Sequence, residues 1–161
     1  WGAEAEVLLL ASAGDVLEGA GESALNLRTI RNMGLSVTEV PEPSAVRETL
    51  AERHDRDLIV DALLGTGVSG EVREPYLSAV RAINAAPVPV VAVDVPSGLD
   101  CNTGCPLGEA VRADATVTFA LNKVGFTRPD AAGYTGRVVV AEISIPRRAL
   151  EARVAQWRQE D

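Results

Sequence analysis

With 161 residues, 47% of them hydrophobic and 24% charged, the chain has the makeup of one soluble globular domain, long enough to bury roughly two thirds of its unfolded surface without disulfides or metals. Extended disorder is excluded, and no apolar run approaches the ~18 residues that a membrane helix requires. A net charge of −8 repels phosphate backbones, so nucleic-acid binding by counterion release is disfavoured and any nucleotide ligand needs local donors.

In chain order, Glu6 to Leu10 is a short apolar run that reads as a buried parallel strand, followed by a loop. Ser23 to Met33 places Leu27, Ile30 and Met33 at helical spacing, and Gly34 stands where a helix needs a left-handed C′ residue. Leu35 to Val40 is strand-like, Pro43 and Ser44 open a helix through Arg53, and Leu58 to Asp61 resumes a strand. Pro75 fits the first turn of a helix with Leu77, Val80 and Ile83 on its apolar face, running to about Asn84. Pro87 and Pro89 then lead into Val90 to Val93. Ala115 to Phe119 and Arg137 to Ile143 are later strands, separated by what reads as an extended loop. The tail from Arg147 carries Leu150, Val154 and Trp157 on one helical face, a stripe suited to docking on the domain.

This alternation predicts an α/β fold, a mainly parallel sheet covered by helices, with ligands outside the carboxyl ends of the strands. Cys101 and Cys105, four apart with no signal-peptide pattern upstream, read as free thiols of a cytoplasmic protein, and with His54 they are too few for structural zinc.

The chemistry concentrates between Asp57 and Asp100. Gly65-Thr66-Gly67-Val68-Ser69-Gly70 matches G-x-G-x-x-G between a predicted strand and a predicted helix, although Glu71, Arg73 and Glu74 intervene before Pro75. Such glycines let backbone N–H groups approach an anion; a plain flexible connection is the competing reading. Asp61 and Asp94 each end a strand, at the edge where ligands of α/β sheets bind, and Pro96-Ser97-Gly98 follows as a fixed turn with a hydroxyl. Two carboxylates, a hydroxyl and carbonyl oxygens form a hard-oxygen environment able to hold a cation, and a partly desolvated carboxylate is a candidate acid/base. A helix cap or an ion pair is the plainer reading of Asp61.

The runs Asp57 to Gly67, Ser69 to Arg73 and Val93-Asp94-Val95-Pro96-Ser97-Gly98-Leu99-Asp100, then Ala113 to Phe119 with Lys123 and Gly125 beyond, resemble the YjeF N-terminal family, the NAD(P)H-hydrate epimerases. The resemblance runs over nearly the whole chain and implies a Rossmann-like three-layer αβα fold. It also implies an isomerase that interconverts the R and S epimers of hydrated NADH and NADPH (NADHX and NADPHX), leaving a separate dehydratase to finish the repair. By position, Asp61 and Ser97 match the family's potassium ligands. Gly65, Thr66, Gly67, Val68, Ser69, Gly70 and Glu71 match its substrate-phosphate loop. Asp94 matches a substrate-contacting acid/base, and Lys123 is placed to face the site. A homodimer is a family expectation.

The family signature Gly-Asn-Asn-Gly-Gly-Asp-Gly is absent. The expected domain is therefore residues 1–161 as a single, N-terminally truncated member, lacking the first strand, its Asn-rich turn and a cation-ligating Asn. Two other readings compete. One is a non-catalytic scaffold or binding module, against which Asp61, Ser97 and Asp94 argue. The other is an NAD-dependent oxidoreductase, supported only by the glycine turn and lacking an obvious hydride-transfer partner.

Overall fold

The computed structural model describes residues 2–51, 58–146, 148, 149 and 151. The strands are β1 (Glu6–Leu9), β2 (Ser36–Glu39), β3 (Ile59–Asp61), β4 (Val90–Val93), β5 (Ala115–Phe119) and β6 (Arg137–Ala141). The helices are α1 (Ala13–Glu18), α2 (Glu22–Asn32), α3 (Pro43–Ala51), α4 (Tyr76–Ala85) and α5 (Ala132–Thr135). Every ladder among them is parallel: β1 pairs with β2, while β3, β4, β5 and β6 pair in that order in a four-stranded sheet. Parallel neighbours need crossovers: α1 and α2 link β1 to β2, α4 links β3 to β4, and α5 lies between β5 and β6, while a long connection without a helix joins β4 to β5, and this alternation gives the Rossmann-like α/β architecture.

Local chemistry accounts for the boundaries. Pro75 caps α4 in front of an apolar stripe in which Val80 is fully buried and Ile83 nearly so, and Pro87 follows the end of the helix. These residues pack on Val90 and Ala92 of β4 together with Val111 and Ala113. Leu63 and Leu50 belong to this cluster and also to a neighbouring one built on Val40, Val46, Ala79 and Ala82, so α3 and α4 share one apolar seam. Burying a valine of this kind stabilises the fold by about 1.5–3 kcal/mol. Polar ties join the long β4–β5 connection to this layer: Asn84 donates to Ala110 O at 3.0 Å and accepts from Arg112 N–H at 2.8 Å, while Asp114 accepts from Val90 N–H at 2.8 Å.

Three expectations need correction. Residues 13–18 form a short helix rather than a loop, because Ala13 N–H finds a remote acceptor in Glu39 Oε2 at 2.9 Å. The segment before β6 is two 3₁₀ turns and α5 rather than an extended loop. β1 is half-buried rather than buried, since among the described residues it pairs on one edge only. The predicted helix over 23–33 is present as α2 with Leu27 buried and Gly34 at φ +73°, yet Met33 is 69% exposed. Among the described residues no helix is long and apolar enough to cross a membrane. His54, Asp57, the Arg53 end of the third helix, and Leu150, Val154 and Trp157 of the tail lie outside the described residues.

Candidate functional site

Because β3, β4 and β5 are parallel and in register, their carboxyl ends open at one edge of the sheet. Asp61 closes β3, Asp94 follows β4, and Phe119 closes β5 with Lys123 four residues on. Sequence alone treats the two aspartates alike, and the structure separates them.

Asp61 is 1% exposed, as is Ser97. Ser97 donates its hydroxyl to Asp61 Oδ1 at 2.6 Å and its N–H to Oδ2 at 2.8 Å, with Leu63 N–H reaching Oδ1 at 3.4 Å. The same hydroxyl accepts Leu64 N–H at 2.9 Å. This brace ties the start of the glycine loop to the turn after β4. Burial pushes the Asp61 carboxyl above its ordinary range, opposed by the Ser97 and Leu63 hydrogen bonds. Three donors aimed at it are the environment of an ionised carboxylate, and no cationic side chain among the described residues partners it.

Asp94 stands in the left-handed region at φ +65°, which Asp tolerates better than most residues and which swings its side chain off the strand direction toward β5. Its Oδ1 accepts Phe119 N–H at 2.9 Å, Thr118 Oγ1–H at 3.2 Å and the Lys123 ammonium at 2.6 Å. Lys123 Nζ also donates to Phe119 O at 3.3 Å. Desolvation raises the Asp94 pKa, but the Lys123 hydrogen bond, the Phe119 amide, the Lys123 charge and Thr118 together outweigh it and hold the carboxyl below its usual range. The side chains of Lys123 and Asp94 keep 18% and 22% exposure, enough for a ligand to reach them.

Two glycines hold this geometry. A Cβ at Gly98, φ +88°, would collide with the Glu109 carbonyl, so the Pro96-Ser97-Gly98 turn can press against the returning chain only without one. At Gly125 a Cβ would lie 2.6 Å from Gly104 N and 2.8 Å from Cys101 O, so glycine there keeps the turn that carries Lys123 against the 100–105 loop.

The loop from Gly65 to Gly70 is mostly exposed. Its start is pinned at Leu64 to Ser97, and its end at Val72, whose N–H donates to Leu107 O at 2.9 Å. Among the described residues none of the N–H groups from Gly65 to Gly70 is engaged in a hydrogen bond, which leaves them free for solvent or an anion. Glu71 lies alongside Gly108 at the far end of the loop. Two other grooves lie away from this edge. One between α3 and α4 contains Arg47 and Arg81, but Arg81 Nε already pairs with Glu109 at 3.0 Å; another lies at the amino end of β4.

The structure thus brings Asp61 with Ser97, and Asp94 with Lys123, to the sheet edge that the glycine loop leaves. Thr118 and the Phe119 amide were missed from sequence; the alternation Ala115-Thr116-Val117-Thr118-Phe119, polar on its buried side, was the available signal. Asp100 serves its own turn, accepting Asn102 and Thr103 N–H at 2.7 and 3.2 Å. Cys101 and Cys105 are free thiols.

Residues 2–125 match the model of the YjeF-related protein N-terminus. The chain belongs to this family. It is 49% identical over 88 residues to the NAD(P)H-hydrate epimerase of Limosilactobacillus fermentum, an alignment covering 55% of this chain and 42% of that protein. It is 41% identical over 150 residues to the bifunctional NAD(P)H-hydrate repair enzyme Nnr of Methanothermobacter thermautotrophicus, covering 90% of this chain and 27% of that protein. The chain therefore spans less than half the length of these curated relatives. The fold is similar to that of the crystal structure of yeast ynu0, YNL200c, with TM-score 0.68 at 18% identity over 94% of this chain and 71% of that one.

Proposed function

We propose that this family member acts on the hydrated nicotinamide of NADHX and NADPHX, interconverting their epimers as an isomerase, with Asp94 as proton acceptor and donor and Lys123 beside it. The observation that carries the reading is the partly exposed Asp94–Lys123 pair at 2.6 Å, at the strand edge next to the glycine loop. The epimeric carbon is a hemiaminal, inverted either by loss and return of water or by ring opening and closure, and both routes move a proton at the reacting oxygen. With its pKa held low, Asp94 is a carboxylate at neutral pH and enters as base. In ring opening it takes the hydroxyl proton while the O–H electrons form the C=O bond and the C–N bond breaks. The ring nitrogen takes up a proton, the freed aldehyde turns its other face, and closure returns both protons. Lys123, an ammonium within reach of the carboxylate, is suited to supply and recover the second proton.

The open N–H groups of Gly65, Thr66, Gly67, Val68, Ser69 and Gly70 suit the substrate's phosphates, since an acidic protein has to bind an anion through local donors. Potassium fits the Asp61–Ser97 brace chemically: a buried carboxylate without a cationic partner among the described residues, a hydroxyl and the nearby Leu64 carbonyl are hard oxygens. Asp61 and Ser97 would hold it, and it would supply a countercharge to the buried carboxylate. Relatives named bifunctional repair enzymes support a dehydratase as the partner activity; a cytoplasmic homodimer completes the proposal. Chromatography of the two NADHX epimers tests it: interconversion should exceed the spontaneous rate, and Asp94→Ala should abolish the excess. Rates equal to the spontaneous one would point to a scaffold or binding module instead.

A further inference from the structure

Resting on that reading, we infer that Thr118 is a positioning residue, which with the Phe119 amide and Lys123 saturates one oxygen of Asp94 so that the other, Oδ2, alone exchanges the proton with substrate. Every hydrogen bond to Asp94 ends on Oδ1: Thr118 Oγ1 at 3.2 Å, Phe119 N at 2.9 Å and Lys123 Nζ at 2.6 Å. Among the described residues Oδ2 has none. A carboxylate oxygen has about two lone-pair directions, so three donors leave Oδ1 no capacity for substrate while Oδ2 keeps all of its own.

The anchor is rigid where it must be. Thr118 is fully buried in β5, and its backbone is held in register with β6 through the Thr118–Val140 pair. Phe119 is the next residue of the same strand, so the hydroxyl and the amide meet Oδ1 from one fixed element. Asp94 itself is tied to β5 by its own N–H, which donates to Val117 O at 2.8 Å. Lys123 is the one charged group among the described residues acting on this carboxylate; the partners from β5 are neutral. A base fixed at one oxygen presents the other in a single orientation, and orientation of that kind is worth orders of magnitude in rate.

The test is a titration of the Asp94 carboxyl carbon by NMR in the ¹³C-aspartate-labelled chain, with kcat and KM measured on the same samples. Thr118→Val keeps the volume and removes the donor to the charged form, so the midpoint should rise by about one pH unit. In the same variant kcat should fall about tenfold with KM nearly unchanged, because the loss is orientation of the base and not substrate binding. Thr118→Ser restores the hydroxyl and should return both toward wild type. A folded Thr118→Val with an unmoved midpoint would overturn the inference. Should that variant not fold, the Phe119 amide resonance of the wild-type chain decides: it should titrate with the Asp94 midpoint, and a flat response overturns the anchor. Epimerase activity of the wild-type chain tests the reaction separately, so a failure of the reaction and a failure of the anchor are seen in different measurements.

Discussion

Removing one buried oxygen at the Asp61–Ser97 brace tests whether it holds this edge of the sheet together. Ser97→Ala deletes the hydroxyl that donates to Asp61 Oδ1 at 2.6 Å and accepts Leu64 N–H at 2.9 Å. Leu64 N–H loses its partner, and Asp61 Oδ1 keeps only the longer Leu63 bond at 3.4 Å. A buried polar group left unsatisfied costs about 1–3 kcal/mol, so the two together should cost about 3 kcal/mol. For a chain of this length that lowers Tm by about 6–12 °C. Urea unfolding followed by circular dichroism should show a lower midpoint at constant slope. The pH dependence has a definite sign. The Asp61 pKa is raised by burial and held down in part by the Ser97 hydroxyl, the Ser97 N–H and Leu63, so removing the hydroxyl disfavours the ionised form further. The deficit is therefore greatest above the Asp61 midpoint and narrows as pH falls through it. A loss under about 0.5 kcal/mol at neutral pH, the level of an ordinary surface change, would refute the brace.

Lys123→Met should weaken the native state at neutral pH: the Asp94 pKa lies below its usual value, so the pair contributes stability above the unfolded carboxyl range that disappears as pH falls through the folded midpoint. Urea midpoints of the two proteins should accordingly converge in acid. Gly98→Ala should cost about 2–4 kcal/mol in denaturant titration, since it adds a left-handed strain to a collision with the Glu109 carbonyl. Replacing sodium by potassium should raise the thermal midpoint of the wild-type chain, and Asp61→Asn should remove that difference. Met33→Gln, at a side chain 69% exposed, should change stability by less than about 0.5 kcal/mol.

The elements legible from sequence were those whose local and tertiary preferences agree. Val90 to Val93 and Ala115 to Phe119 fall where the apolar runs place them, because both strands are flanked by paired neighbours. β6 stops at Ala141, two residues before the apolar run ends at Ile143, where the ladder with β5 ends at Phe119. α1 was invisible because six residues carry too little periodicity; its first N–H depends on Glu39, 26 residues away.

Pattern and composition by themselves determined the α/β class, the parallel order of helices and strands, and the groups at the carboxyl edge: Asp61, the glycine loop, Asp94 and Ser97, to which the family resemblance added Lys123. These follow from periodicity and from residue types at strand ends, which are local properties. Their different surroundings were decided only by tertiary structure. Asp61 and Asp94 occupy similar places along the chain, each at the carboxyl end of an aliphatic strand. One is sealed against Ser97 and the other is anchored by β5 with an oxygen left open. Burial, hydrogen-bond partners and charge neighbours set what a carboxylate does, and for these two aspartates the decisive partners stand 24 to 36 residues away in the chain.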